Sequence, residues 1–182
     1  LIDITSKASI SCYPHLGTGN KILADKAATD VMRSNLNKLD IEGEVVIGEG
    51  ELDEAPMLYI GEKLGNNKGP KIDIAVDPVE GTNFVANNLP GAISVLAISE
   101  KDNLFKAPET YMNKIAFGNN IPKDVIDLDY SVEKNINNLS DFKNKKIEDI
   151  SVCILERDRH KEIIQELKKL KVKIKLIQDG DV

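Results

Sequence analysis

The sequence predicts a mixed α/β chain: an α+β front domain, then the opening of a second α/β domain that is cut short. Three observations lead there. Residues 21–39 set Ala24, Ala27, Ala28, Val31, Met32 and Leu36 along one stripe of a 3.6-residue repeat, the mark of an amphipathic helix. Residues 71–76, Lys-Ile-Asp-Ile-Ala-Val, alternate as a half-buried strand does. Residues 149–155, 158–170 and 172–177 read strand, helix, strand, the pattern of two parallel strands joined by a crossover.

The remaining elements follow in order. Gly17-Thr18-Gly19-Asn20 is a loop before the first helix, so Asp25 falls in that helix's opening turns, near its positive dipole end. Residues 44–47 form a short strand cut off by Gly48, and Gly48 to Glu54 is a glycine-rich acidic loop. Residues 55–64 are expected as a short helix, with Pro56 tolerated in its first turn. Asp77-Pro78 is expected to end the 71–76 strand, because proline brings no donor to the ladder. Residues 92–98 are nearly all apolar and are expected as a central strand. Shorter strands are expected at 103–106 and 113–117. The stretch from Asn119 to Ser140 is rich in Asn, Asp and Pro and marks a boundary. The domains are therefore expected as 1–120, a connecting segment 121–148, and 149–182.

Composition excludes several classes of function. The formal net charge is -6, so the basic surplus of a nucleic-acid surface is absent. The lysines from 168 to 175 alternate with Leu170, Val172 and Ile174, as the end of a helix and the solvated face of a strand. No apolar run approaches a membrane span, and no leader pattern opens the chain. Cys12 and Cys153 have no metal-ligand spacing and read as reduced thiols of a cytoplasmic protein. The chain opens on Leu1 and stops just after a strand-like run, which is expected of an N-terminal fragment.

The chemistry is carried by two acidic loops, each after an expected strand. One holds Glu49, Glu51, Asp53 and Glu54; the other holds Asp77 and Glu80. If their strands are neighbours, both loops leave the sheet at one end and crowd like charges that need a cation. Carboxylate oxygens suit Mg²⁺ or Mn²⁺, and two His with no Cys pair do not suit zinc. Gly48 and Gly50 would allow close approach and positive φ, and Gly81 would turn the chain so that Glu80 and Thr82 face one ion. Spacing alone leaves solvated acidic loops as the alternative.

Asp77-Pro78-Val79-Glu80-Gly81-Thr82 resembles the D-P-[IVL]-[DE]-G-[TS] signature of the lithium-sensitive, metal-dependent phosphatases. The run V-V-I-G-E-G-E-L-D-E-A-P-M-L-Y-I-G-E-K-L-G at 45–65 and the A-P-x-x-Y-M segment at 107–112 resemble class II fructose-1,6-bisphosphatases of the glycerol-regulon type. The resemblance implies a layered sugar-phosphatase fold and hydrolysis of the 1-phosphate of fructose 1,6-bisphosphate with two or more Mn²⁺ or Mg²⁺ ions. It implies Asp25 and Glu49 as ligands of one metal, and Asp77, Glu80 and the Val79 carbonyl as ligands of another. Thr82 and Asp53 would orient and deprotonate the attacking water, with Lys21 beside the phosphate. Glu80, Gly81, Thr82, Tyr111, Arg157, Arg159, Asp179, Gly180 and Asp181 would bind substrate. The partner is then a small sugar bisphosphate, not nucleic acid or membrane, and a homo-oligomer is expected.

Three departures accompany the resemblance. Ile22 and Leu23 stand where the family shows polar residues, and Asp158 stands between Arg157 and Arg159 where it shows K-P-R. A further metal-binding Glu of the family lies beyond residue 182. The rival readings are a sedoheptulose 1,7-bisphosphatase or dual enzyme, and a metal-binding or subunit-interface piece without activity. An inositol monophosphatase or nucleotide 3′-phosphatase fits the 45–65 run poorly.

Overall fold

A computed structural model describes residues 1–48, 57–106 and 112–179. The chain divides into two compact units, Leu1–Pro108 and Glu109–Asp181. Helices and a mixed sheet make the fold α+β.

The first unit opens with α1 (Ile2–Ser11), which the sequence reading passed over. Only Ile4 and Ala8 of α1 are buried, too sparse a stripe to register as periodic. Helix α2 (Lys21–Leu36) begins at Asn20, whose side-chain oxygen accepts from the Leu23 N–H at 3.2 Å. Ala8, Ala24 and Ala28 are fully buried where α1 meets α2, and these small side chains let the two helices approach closely. Met32 and Leu36 fill the space below them, each adding about 2 kcal/mol by burial.

The helices rest on one face of a four-stranded sheet ordered β2-β1-β3-β4. Its strands are β1 (Glu42–Ile47), β2 (Lys63–Leu64), β3 (Lys71–Glu80) and β4 (Ile93–Glu100). β1 runs parallel to β3, and the other two pairings are antiparallel. Ile72, Ile74, Val76 and Val79 of β3 join Val45, Leu58 and Leu64 against Met32 and Leu36 in a single core. Between β3 and β4 lies the short helix α3 (Thr82–Ala86).

Four expectations are corrected here. Residues 57–64 do not form a helix among the described residues: Lys63–Leu64 is a strand. The edge of β1 recruits this segment, with Val45 N–H donating to Glu62 C=O at 2.9 Å and Gly61 N–H donating to Val45 C=O at 2.7 Å. β3 does not stop at Pro78 but runs on to Glu80. Its pairing with β1 ends at Ala75, so the missing proline donor costs no ladder bond on that side. Among the described residues β4 is an edge strand, not a central one, and its residues alternate between exposed and half-buried from Ile93 to Ala97. Residues 103–106 and 113–117 are not strands; after β4 the chain turns, Asn103 N–H donating back to Glu100 C=O at 3.2 Å.

The second unit pairs β5 (Ser151–Leu155) with β6 (Lys173–Ile177) in parallel, Ser151 opposite Lys173 and Leu155 opposite Ile177. Helix α5 (Lys161–Lys169) makes the crossover. Helix α4 (Val132–Lys143) stands inside the segment expected as a connection, capped by Ser131, which accepts from the Lys134 N–H at 3.1 Å. Ile136, Ile150, Leu167 and Val172 form this unit's core. Both Cys12 and Cys153 are free thiols. Among the described residues no helix is long and apolar enough to cross a membrane.

Two ion networks tie the first unit together. Arg33 of α2 grips Glu62 through Nε to Oε1 at 2.6 Å and Nη2 to Oε2 at 3.1 Å, and also donates to the Met57 carbonyl at 2.6 Å. Glu62 is only 8% exposed, so Arg33→Met would leave a nearly buried carboxylate without its cation. Urea unfolding should show a loss of about 2 kcal/mol, most of it recovered in Arg33→Met/Glu62→Leu. A single variant as stable as the parent would show that the pair does not hold α2 to this segment.

On the opposite sheet face Glu44 accepts from Lys101 at 2.7 Å and Lys63 at 2.8 Å. These hydrogen bonds lower its pKa to about 2, while an unfolded Glu titrates near ~4.3. The stabilisation is therefore complete above that unfolded value and is lost as pH falls through the folded one. Glu44→Gln should flatten the stability curve between those two values. A curve of unchanged slope there would contradict the network.

Candidate active site

The site grows from the carboxyl end of β3. Asp77 pairs with Val95 and Glu80 with Ile93, so three steps on β3 match two on β4. The extra residue is a bulge. In a regular strand, residues three apart face opposite ways; the bulge restores Asp77 and Glu80 to one face, since Ile93 and Val95 share a face of β4. Gly81 then turns the chain with φ +86°, and a Cβ there would meet Phe84 Cδ2 at 2.8 Å. Both facts reserve the position for glycine. Thr82 opens α3, half-buried.

Loop 17–20 and α2 bring the second set of residues. Val85 and Ala86, near the end of α3, offer carbonyls to the loop, the first also accepting from Asn88 N–H at 3.1 Å. Gly17 N–H donates to the first at 3.0 Å and Gly19 N–H to the second at 2.8 Å. This fixes the start of α2, with exposed Lys21 as its first residue and half-buried Asp25 one turn on.

Asp25 and Asp77 therefore confront each other. Burial raises the Asp25 pKa, and the charge of Asp77 raises it further. Oδ1 of each carboxylate is buried without a hydrogen-bond donor. Oxygen-only, uncompensated and negative, the pair fits a divalent cation. Among the described residues no three Asp, Glu, His or Cys side chains group closely enough to hold an ion. Val79 is buried in the core and Glu80 is half-buried. Glu49, Asp53, Tyr111, Gly180 and Asp181 lie outside the described residues.

Of the two reasons expected for Gly48, positive φ is absent, and the close approach is to the protein's own backbone: a Cβ there would run into the Leu58 carbonyl. Close approach of that carbonyl is what excludes a side chain, at the point where the chain leaves β1. Two buried polar groups escaped the sequence reading. Thr29, a helical turn beyond Asp25, is fully buried with an unpartnered hydroxyl. Asp73 is fully buried on the face of β3 that also carries Asp77, with Lys101 Nζ at 3.7 Å. Its position in the alternating run was the available signal.

In the second unit, Arg157 and Asp179 stand at the carboxyl ends of β5 and β6, where parallel sheets open a ligand crevice. Arg157 Nη2 lies 3.3 Å from Asp179 Oδ1, and Nη1 donates to the Glu156 carbonyl at 3.2 Å. Arg159 follows in the same turn.

The chain belongs to the family described as bacterial fructose-1,6-bisphosphatase, glpX-encoded, whose model matches residues 1–182. A relative from Prochlorococcus marinus (strain MIT 9312) is 43% identical over 182 residues, which is 100% of this chain and 54% of that protein. One from Synechocystis sp. (strain ATCC 27184 / PCC 6803 / Kazusa) is 44% identical over 194 residues, 100% of this chain and 56% of that protein. Both are named D-fructose 1,6-bisphosphatase class 2/sedoheptulose 1,7-bisphosphatase. The chain thus spans about half the length of the curated relatives it matches. A solved extragenic suppressor from Pyrococcus furiosus aligns with TM-score 0.38 and 21% identity, covering 56% of this chain and 39% of that one.

The raised Asp25 pKa makes a signed prediction. A folded state that binds this proton more tightly than the unfolded state loses stability as pH rises through the raised value. Asp25→Asn removes the charge, so the metal-free protein should melt higher than the parent at pH 7 and no higher near pH 3. The parent should gain about 1.4 kcal/mol from Mn²⁺ at ten times its Kd, and Asp25→Asn should gain little. An equal gain in both proteins would exclude Asp25 as a ligand.

Proposed function

We propose that the whole protein is a metal-dependent phosphatase that releases the 1-phosphate of fructose 1,6-bisphosphate, leaving fructose 6-phosphate. The observation that carries this is the donorless Asp25–Asp77 pair at the bulged end of β3, in a chain of this family. Asp25 and Glu49 would hold one Mn²⁺ or Mg²⁺ ion, and Asp77, Glu80 and the Val79 carbonyl another. A bound divalent ion supplies charge neutralisation for phosphate oxygens and a more acidic water. Thr82 and Asp53 would align that water and take its proton as its oxygen attacks phosphorus. The P–O bond to the sugar breaks, and the sugar oxygen leaves and takes a proton from solvent water to become a hydroxyl. Lys21 and the Gly81–Thr82 turn would contact the phosphate. Tyr111, Arg157, Arg159 and Asp179 to Asp181 would contact the rest of the substrate. In this reading residues 1–120 form the metal-binding part, 121–148 connect, and 149–182 open the sugar-binding part. The same reading makes the enzyme a cytoplasmic homo-oligomer of gluconeogenic and glycerol-derived carbohydrate metabolism.

A second reading, cleavage of sedoheptulose 1,7-bisphosphate by the same site, is favoured by the double name of the relatives. Phosphate release from both sugars by the whole protein separates the two. Asp77→Asn should lower kcat/KM by at least about 100-fold, roughly 2.7 kcal/mol of transition-state stabilisation. A folded, Mn²⁺-loaded protein inactive on either bisphosphate would overturn the assignment.

A further inference from the structure

The turn that carries Arg157 and Arg159 is closed by a side chain to which neither the fold nor the proposed chemistry has yet given a role. His160 Nδ1 lies 2.8 Å from the Leu155 carbonyl oxygen. That oxygen also accepts from the Arg157 N–H at 3.0 Å, and His160 N–H donates back to the Arg157 carbonyl at 2.9 Å. Glu156 N–H donates to Ile177 C=O at 2.8 Å, anchoring the turn to β6. A carbonyl has no proton to give, so the imidazole must be the donor at Nδ1. Free imidazoles favour a proton on the other nitrogen; here the fold selects the Nδ1–H form and leaves Nε2 as an acceptor. Residues 155 to 160 thereby become a clipped loop, with a guanidinium at its second and fourth residues after β5.

We infer that His160 is a positioning residue: its Nδ1–H clip on Leu155 fixes the turn that presents Arg157 and Arg159 to the sugar phosphate. This rests on the substrate reading above. Without the clip the turn keeps its backbone ends, while the aim of both guanidinium groups loosens. Binding should suffer and the hydrolytic step, carried by other residues, should not.

The test has two arms. A two-bond ¹H–¹⁵N spectrum of the parent, taken where the ring is neutral, should show the His160 proton on Nδ1 and none on Nε2. The opposite tautomer would overturn the clip whether or not the enzyme reading holds. In phosphate-release assays with the whole protein and fructose 1,6-bisphosphate, His160→Ala should raise KM about tenfold with kcat within twofold. His160→Asn, whose amide N–H can reach the same carbonyl, should restore most of the KM. A fall in kcat without a change in KM, or no rescue by Asn, would overturn the positioning role. If the parent hydrolyses neither bisphosphate, the substrate reading fails separately, and the spectrum still decides the clip.

Discussion

Two carboxylates held together without a donor between them set the terms for the first unit. Asp25 sits on a helix and Asp77 on a strand, and each element is committed elsewhere. Helix α2 is fixed by Asn20 at its start, by Ala24, Ala28, Met32 and Leu36 along its buried stripe, and by Arg33 gripping Glu62. β3 is fixed between β1 and β4 with its core face filled by Ile72, Ile74 and Val76. Neither can retreat without opening the core, so the repulsion stays in the folded state. Core burial of several apolar side chains at about 2 kcal/mol each outweighs it. What remains is a place where a cation would lower the free energy, since no donor among the described residues reaches Oδ1 of Asp25 or Asp77.

The helix and the strands that carry this pair were legible because their patterns are local. The α2 stripe repeats over four turns, and the sequence of β3 alternates up to Val76 even though Asp73 is buried as well. Asp77 to Thr82 reads in sequence as a loop after the strand, whereas β3 continues through Glu80 and turns only at Gly81. The bulge was not legible, because it exists only in the register between β3 and β4. The same limit explains β4: an apolar run says that a strand can be buried, not that neighbours lie on both sides. It explains Leu58 to Leu64 as well. Local preference there favours a helix, but the open edge of β1 and the Arg33–Glu62 pair lie 15 to 30 residues away in sequence and override it.

Helix α4 was lost for a different reason. Its Asn and Asp content resembles a linker, and only Val132, Ile136 and Leu139 show its apolar face. One of those asparagines is structural. Asn135 is nearly buried, and its amide exchanges hydrogen bonds with the Asp127 N–H and C=O at 2.9 Å each. Polar composition marks a linker only when the polar groups meet water; here they meet the backbone of the preceding loop.

The two units treat charge in opposite ways, and the difference bears on what each can bind. At the end of β3 like charges face each other and stay uncompensated. At the ends of β5 and β6 opposite charges are already matched, with Arg157 held by Asp179 and by a carbonyl. The first arrangement would accept a cation with no hydrogen-bond donor to displace from either Oδ1. The second presents a guanidinium whose partner must share or yield it when a phosphate arrives. On the proposed substrate reading, affinity for the anion would depend on how well the turn holds its arginines in place against the existing pull of Asp179. On that reading the geometry of residues 155 to 160, more than the number of positive charges, would decide how strongly this end of the sheet grips a phosphate.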